Sequence, residues 1–537
     1  MYTNLYRTLY KRILAGATAA LALAGVAGCD DNKFLTEVPY DFVGPENFYQ
    51  TSTDALAAIA GVYATATHTT GDGYYGRNFI MLSEFPTEMQ TVYLSATNER
   101  SLVDNYTFTA VHAYIYSTWQ GAYQAINRAN SVIGRVPAID MDPVLRGRIV
   151  AEAKFLRAQH YFNLVRLFGD VPLITDETVS IENLQRPRSP ADSVWGLIFR
   201  DLSEAATALP RNYTGADIGR ATRGAAKTMA AKAYLHRASI APAGSANRTA
   251  DYTKALELIN DVKANEGYAL VTEYATLFDM SNEANSEVIF DIQCSRSTGI
   301  GCRLSNQVAP RLSNYGASQN GSFNAEQPFF DEFVAADKRR AATWQLTYTT
   351  KAATTATWTV TTANPRGAFF VGTTRTDSTI APNMAKFLDK LSVTAGNDEP
   401  NYIILRYGDN LLMEAELINE LSGPTGPAYA AINAVRTRAG IGALTPGLSQ
   451  AAFRDSVFLQ RRLELAMEGP NGYFDSQRNW TWSKTRIEAA MAIGASYTFR
   501  TSRYPKARVA VADKFKLMPV PQRARDLNPL LTQNTGW

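Results

Sequence analysis

The residue with the clearest chemistry is Cys29, which ends a short apolar run that begins at Ile13. Basic residues precede the run, and Val26-Ala27-Gly28 lead into the cysteine. A basic start, a short Ala/Gly-rich segment and small residues at its end are typical of an export signal, because the run is too short for a membrane span. The pattern predicts cleavage before Cys29 and a diacylglyceryl group on its thiol. The alternative is an ordinary secretory signal with a chance cysteine.

The charge of the chain gives no indication of a nucleic-acid partner. The formal net charge is +3, and the three basic residues of the signal account for it, so the body from Cys29 onward is formally neutral. A neutral body without a basic block predicts no binding of nucleic acid. Asp30 and Asp31 follow the cysteine and resemble the surface-export tag of Bacteroidetes-type lipoproteins. We therefore expect a lipid-anchored protein of the outer membrane that faces the cell exterior.

The rest of the chain contains no recognisable catalytic or metal-binding motif. Its four histidines are scattered, and neither a CxxC pair nor HExxH occurs. Gly71–Gly76 matches GxGxxG but lacks the strand and the helix of a nucleotide site, so we interpret it as a loop. Carboxylates are plentiful, yet the sequence around them distinguishes no pair as the two catalytic acids of a glycosidase. The sequence predicts no catalytic residue, no metal and no cofactor.

Two further cysteines, Cys294 and Cys302, bracket a short stretch rich in Ser and Gly. An exported protein meets an oxidising compartment, and this spacing predicts a disulfide that closes a small loop. Two free thiols in the core are the alternative.

Helical periodicity is strongest after residue 142. Asp142 and Pro143 are good starting residues for a helix, and apolar side chains follow at helical spacing as far as Leu167. Gly169 marks the end of this helix. His160 lies on the apolar stripe, where a buried histidine is the simpler interpretation than a ligand.

The same pattern predicts several helix pairs. Trp119 and Ile126 lie on one face of a preceding helix, and similar pairs recur within 194–239 and 407–439. Alanine is abundant on these faces and allows helices to approach closely. We predict a mainly α fold built from tetratricopeptide-like helix pairs.

Two kinds of segment interrupt the helices. Between Ala341 and Gly372 aromatic and β-branched residues predict one or two β-hairpins, with a turn at Asn364–Gly367. Residues 68–118 and 282–325 are rich in Gly, Ser, Asn, Thr and Tyr without sustained periodicity, which predicts long loops. Loops of this size are usually functional, so we expect them and the hairpins to form a ligand face.

Aromatic side chains in these segments are the candidate binding residues. The face of an aromatic ring stacks on the C–H face of a sugar, and polar neighbours bond the sugar hydroxyls. Each aromatic on its own is more simply explained by packing, so the loop set as a whole carries the prediction. The candidates are Tyr74, Tyr75, Tyr93, Asn98, Tyr315, Trp344 and Trp358.

A resemblance to a known family covers nearly the whole chain in order. The chain resembles SusD/RagB-type lipoproteins in Lys33–Pro39, Asn47–Tyr49, Ala57–Tyr63, Trp119–Asn130, Ala151–Ala158, Tyr161–Leu173, Gly219–Thr222, Asp337–Arg340, Leu405–Glu416, Phe515–Pro521 and Asn528–Trp537.

One departure from the family pattern falls within Glu468–Trp480. The arginine that usually precedes the aromatic residue is missing, and Asn479 separates Arg478 from Trp480. These positions look structural in the family, so the departure concerns local packing.

The resemblance implies a division of the chain and a function. A signal peptide spans 1–28 and a SusD-like body spans 29–537, with an N-terminal part over about 33–240 and a C-terminal part over 241–537 that carries the insert at about 282–372. The family binds an oligosaccharide, or a peptide in some members, and delivers it without catalysis to a TonB-dependent transporter of the SusC type. Glu152, Arg157 and Asp170 would belong to the scaffold.

Three alternatives remain open from the sequence. The ligand could be a peptide, the protein could be an adaptor that binds no small ligand, or it could be a secreted glycoside hydrolase whose acids carry no recognisable pattern. Ligand titration separates the adaptor from the binding protein, and product formation identifies the hydrolase.

Overall fold

The computed structural model describes most of the chain from Phe48 to Trp537. The predicted signal, Cys29 and Tyr93 lie outside the described residues. The gaps within the described range are 67–73, 93–97, 179, 181–183, 297–300, 317, 362–363, 376–381, 395, 470 and 496–509.

Helices dominate the described residues. In chain order the α-helices are α1 (Ser52–Tyr63), α2 (Phe79–Glu84), α3 (Glu99–Asp104), α4 (Ala113–Arg135), α5 (Pro143–Phe168), α6 (Ala191–Ala208), α7 (Arg223–Ile240), α8 (Ala246–Asn265), α9 (Ser305–Val308), α10 (Gln327–Asp331), α11 (Arg339–Thr343), α12 (Tyr407–Ser422), α13 (Gly426–Arg438), α14 (Gln450–Leu465), α15 (Asn471–Arg478), α16 (Trp480–Ala495) and α17 (Gln522–Leu527).

The start and end of α5 follow the predicted chemistry. The Asp142 side chain accepts a hydrogen bond from the Leu145 amide at 2.7 Å, and Pro143 occupies the first turn. Gly169 ends the helix with a φ of 70°, which a residue without a Cβ adopts at little cost. The periodicity of the sequence therefore identified this helix and both of its ends.

The long helices pack as a series of neighbours, as predicted. α4 packs on α5, α5 on α6, α6 on α7, and α7 on α8, while α8 contacts α12, which contacts α13 and α14. The buried face of α7 is rich in alanine, and these small side chains allow close approach of its neighbours. The prediction of a mainly α fold with tetratricopeptide-like pairs is confirmed.

Short antiparallel sheets accompany the helices. β1 (Gln90–Thr91) pairs with β3 (Asn324–Ala325), and β2 (Val288–Ile292) pairs with β8 (Tyr402–Arg406), which leads directly into α12. The predicted hairpin region forms a four-stranded sheet in the order β4 (Thr347–Thr349), β5 (Thr355–Thr361), β6 (Asn364–Val371) and β7 (Thr374–Arg375). The turn predicted at Asn364–Gly367 is wrong, because these residues begin β6.

The two segments predicted as long loops are more structured than their sequence indicates. The described part of 68–118 contains a π-helical turn (Tyr74–Asn78), α2, α3 and the start of α4, and α2 is buried along its whole length. Residues 282–325 contain β2 and α9. An element that is buried on all sides has no amphipathic period, so the search for periodicity missed these helices.

The motif residues assigned to the scaffold make ion pairs or hydrogen bonds with neighbouring segments. Arg157 on α5 contacts Asp201 on α6 at 2.7 Å, and Glu152 accepts from Arg220 at 2.9 Å. Asp170 accepts a hydrogen bond from the amide of Ala191 at the start of α6. These contacts join neighbouring helices, as expected of scaffold residues.

A larger buried network joins β8, α13 and α14. Glu464 accepts from Arg406 at 2.7 Å, from Arg339 at 3.2 Å and from Arg438. Arg406 and Arg438 also bind the two oxygens of Glu287, at 2.8 and 2.9 Å. Every one of these side chains is at least nine-tenths buried.

Among the described helices, none is both long and apolar enough to cross a membrane.

Candidate functional site

Four of the sequence-predicted binding residues are buried in the core. Tyr74 is 3 % exposed and Tyr75 is 1 % exposed, and Asn163 donates a hydrogen bond to each hydroxyl. Trp344 is fully buried among Phe329, Phe330 and Phe333, and Trp358 is buried against Phe369. These rings present no free face to a ligand, so their burial contradicts the prediction for them.

The remaining candidates lie apart from the cleft that is described below. The Asn98 side chain caps α3 by accepting a hydrogen bond from the Arg100 amide at 3.0 Å. Tyr315 is half-buried, accepts a hydrogen bond from the Thr349 amide at 3.0 Å, and lies beneath the ammonium group of Lys390. Neither residue lines the cleft described below, and Tyr93 lies outside the described residues.

The two cysteines are paired. Cys294 and Cys302 form a disulfide that closes a loop just after β2. The amide of Cys294 also donates to the side-chain oxygen of Asn401 at 2.8 Å, which ties the disulfide loop to the wall of the neighbouring cleft.

A cleft of about 720 Å³ lies between the two halves of the chain. The connection between α6 and α7 forms one wall, from Arg211 to Thr222. The segment after α8 and the segment that leads into β2 form the other, within 266–293, and Asn401 closes the back. A concave site of this size with converging polar groups is where ligands usually bind.

Polar and aromatic side chains alternate along the rim. Arg211 is exposed and donates a hydrogen bond to the carbonyl of Glu266 at 3.3 Å. Tyr213 and Tyr268 are half-buried, so part of each ring faces solvent. The Tyr268 hydroxyl bonds that of Thr222 at 2.9 Å, which fixes the ring. Fixed rings beside hydrogen-bonding groups can stack on a sugar and orient it.

Two carboxyl groups meet at the back of the cleft through Asn401. Its amide donates to Glu283 at 2.7 Å, and its side chain donates to Asp291 at 3.0 Å. Burial raises the pKa of Glu283 to about 7, and the charges of Asp291 and Glu399 add to this effect. Burial also raises the pKa of Asp291 to about 6 against the hydrogen bonds from Gln293 and Asn401. Both groups change protonation near neutral pH.

Gly219 allows the opposite walls to meet. Its φ is 93°, and a Cβ at this position would lie 2.4 Å from the side-chain Cδ of Gln293. A larger residue would therefore displace Gln293 and strain the backbone. Beyond this contact lies a second chamber of about 240 Å³ that reaches α1.

The sequence analysis singled out none of the cleft residues as ligand contacts. The one available signal was the motif Gly219–Thr222, which was noted only for its resemblance to the family. The cleft combines segments whose residues are 44 (Thr222 to Glu266) to 190 (Arg211 to Asn401) positions apart, so their meeting depends on the fold. Across the part of the chain that the structure describes, no cluster of His, Cys, Asp and Glu is arranged to hold a metal ion.

Comparison with known proteins identifies the family. Residues 240–537 match the SusD family, and residues 33–235 match a family described as "Starch-binding associating with outer membrane". SusD-like protein P2 of Formosa agariphila is 27 % identical over 85 % of this chain and 89 % of its own length.

Solved structures share the fold. A SusD superfamily protein from Parabacteroides distasonis is 26 % identical, covers 90 % of this chain and 99 % of its own, and superimposes with a TM-score of 0.74. Surface glycan-binding protein A from Bacteroides thetaiotaomicron, in complex with laminarihexaose, is 20 % identical, covers 90 % of this chain and 100 % of its own, and has a TM-score of 0.71.

These matches agree with the resemblance seen in the motifs and, like it, span both halves of the chain. The SusD-like family consists of binding proteins and not of enzymes, so the prediction of a non-catalytic protein is confirmed. The chain belongs to the SusD family.

Proposed function

We propose that this protein captures an oligosaccharide in the cleft of 720 Å³ and passes it to a SusC-like TonB-dependent transporter in the outer membrane. The observation that carries the proposal is the cleft itself, in which Tyr213 and Tyr268 stand beside Arg211, Gln293 and the carboxyl pair. Aromatic rings and directional polar groups are the two features that sugar recognition requires.

The family supports this ligand class. One half of the chain matches a family described as starch-binding, and a structural relative holds laminarihexaose. Cleft residues supply hydrogen-bond donors and acceptors but no nucleophile is needed, because capture and release require only reversible binding.

The proposal includes a location. A lipid on Cys29 would hold the body outside the outer membrane, and the family is described as associating with that membrane. Labelled palmitate should enter the wild-type chain and not Cys29→Ala, and protease added to whole cells should digest the wild-type protein. A chain that stays unlabelled and fractionates with the cytosol would contradict the anchor.

Calorimetric titration of the purified full chain in detergent tests the ligand. The panel contains laminarihexaose, maltohexaose, xylohexaose, mannohexaose and a pool of peptides. We expect heat from at least one oligosaccharide and none from the peptides, with a loss of affinity in Gln293→Ala. Heat from peptides alone would identify a peptide-binding member of the family, and no heat from any ligand would favour an adaptor.

Transfer to a transporter is tested by co-purification. The SusC-like protein encoded beside this chain should be retained by the tagged wild-type protein from solubilised outer membranes. Recovery of the tagged protein alone, under conditions that keep other outer-membrane complexes intact, would contradict the partnership.

A further inference from the structure

The second chamber differs in composition from the cleft it adjoins. It measures about 240 Å³, one third of the 720 Å³ cleft. Ala60 of α1 and Ala64, just after it, line the chamber together with Ala216 and with Ile218, which also lines the cleft. The ring of Tyr63 also lines the chamber and is held in place, because its hydroxyl accepts a hydrogen bond from the Ala221 amide at 2.9 Å.

The two chambers meet at a polar junction. Gly219, Arg220, Asp291 and Gln293 line both of them together with Ile218, and the Gln293 side chain lies on Gly219. Arg220 is fixed there by Glu152 at 2.9 Å and by Asp217 at 2.6 Å. A ligand that occupies both chambers would therefore lie across a shared edge that carries several hydrogen-bonding groups.

Two adjoining chambers of unequal size suit a branched ligand. We propose that the cleft binds a branched oligosaccharide, with its main chain in the large chamber and a single-sugar branch in the small one. The inference rests on the proposed function and names the class of glycan at the same site.

The walls of the small chamber favour a short branch that turns the C–H face of one ring toward them. Its volume holds about one sugar ring, whereas drug-sized pockets run from about 300 Å³ upward. Small alanine walls leave room for the ring and contact its C–H groups, and Tyr63 offers an aromatic surface. The polar groups at the junction are placed to bond the linkage and its neighbouring hydroxyls.

The test uses glycans in matched pairs. Linear and singly branched forms of gluco-, xylo-, manno- and galacto-oligosaccharides are immobilised on one array, and the full chain in detergent is applied. We expect the wild-type protein to bind the branched member of at least one pair about tenfold more tightly than the linear member, which corresponds to about 1.4 kcal/mol.

Two variants fill the small chamber from opposite sides. Ala60→Trp and Ala216→Trp replace exposed residues, so both should fold, and circular dichroism checks this. We expect each to bind both members of the pair with the affinity of the wild-type protein for the linear form. Ala451→Trp, at an exposed position of α14 away from the cleft, is the matched control and should keep the preference.

The possible results separate the two proposals. Equal wild-type affinity for branched and linear members overturns the inference and leaves the proposed function standing. A preference for branches that persists in both filled variants also overturns it, because the branch then binds elsewhere. Absence of binding to every glycan on the array contradicts the proposed function itself.

Discussion

Two groups of acids in this protein contain members with opposite pKa shifts, although the short segment Glu283–Asp291 contributes a residue to each group. Glu287 belongs to the network around Glu464, whereas Glu283 and Asp291, a few residues away, face the cleft. Burial alone would raise the pKa of Glu464, but Arg438, Arg406 and Arg339 hold it at about 2. The pKa of Glu283 is raised to about 7, because burial acts there with only neutral donors and other acids nearby.

The difference shows how the protein separates scaffold from site. In the network three guanidinium groups bind Glu464, and these contacts join α11, β8 and α13 to α14. In the cleft, Asn401 and Gln293 hold the acids by hydrogen bonds without neutralising them. Groups whose charge is not already balanced by the protein remain able to interact with a ligand.

The largest expected effect comes from removing the centre of the network. Glu464→Ala should lower the free energy of unfolding by about 5 kcal/mol, because three buried guanidinium groups lose a partner. Glu283→Ala should cost far less, since no buried cation depends on it. Urea unfolding of both variants checks this contrast, and equal losses would show that the two regions contribute alike to stability.

Substitution of a core aromatic residue should reduce stability, as in the network, and should leave ligand affinity unchanged, in contrast to substitution in the cleft. Trp344→Ala should lower the free energy of unfolding by about 3–4 kcal/mol, because it leaves a cavity among three phenylalanine rings. Oligosaccharide affinity should stay unchanged under conditions where the variant is folded. Reduced affinity with unchanged stability would instead indicate that Trp344 contacts the ligand, as the sequence predicted.

On the cleft side, substitution should change binding and leave stability intact. Arg211→Ala removes an exposed guanidinium from the rim and should weaken oligosaccharide binding about fivefold to tenfold, the equivalent of one hydrogen bond. The free energy of unfolding should change by less than about 0.5 kcal/mol. Lys254→Ala, at an exposed position of α8, is the control and should alter neither quantity. Calorimetry and urea unfolding on the same samples test the separation.

The smallest effect is a pH dependence of stability. Glu283 and Asp291 have pKa values above their ordinary 4.5 and 3.8, so the folded state binds more protons than the unfolded state at intermediate pH. Their stabilising contribution is complete below about pH 4 and is lost as the pH rises through 6 and 7. Urea unfolding at pH 5 and pH 8 should therefore show a smaller decrease for Glu283→Gln than for the wild-type protein. An identical decrease in both would contradict the raised pKa of Glu283.

Much of the fold was predictable because local chemistry specifies it. Asp142, Pro143 and Gly169 mark the ends of α5 through caps that need no distant partner. The alternation of Tyr348, Ala356 and Trp358 with exposed threonines similarly predicts the strands of the insert. The sequence did not predict α2, because a helix that is buried on all sides has no amphipathic pattern. Tyr74 and Tyr75, which the sequence proposed as ligand contacts, are core residues for the same reason.

The sequence by itself determined the helical pairing, the hairpin region, the family and the absence of a catalytic motif, because each depends on residue type and spacing along the chain. Only the tertiary structure decided which side chains face a ligand. Arg211, Gly219, Glu283 and Asn401 come from separate segments, and their meeting depends on how the helix series and the β2–β8 ladder place those segments in space. Exposure of an aromatic ring is decided in the same way, because the neighbours that cover it come from distant parts of the chain.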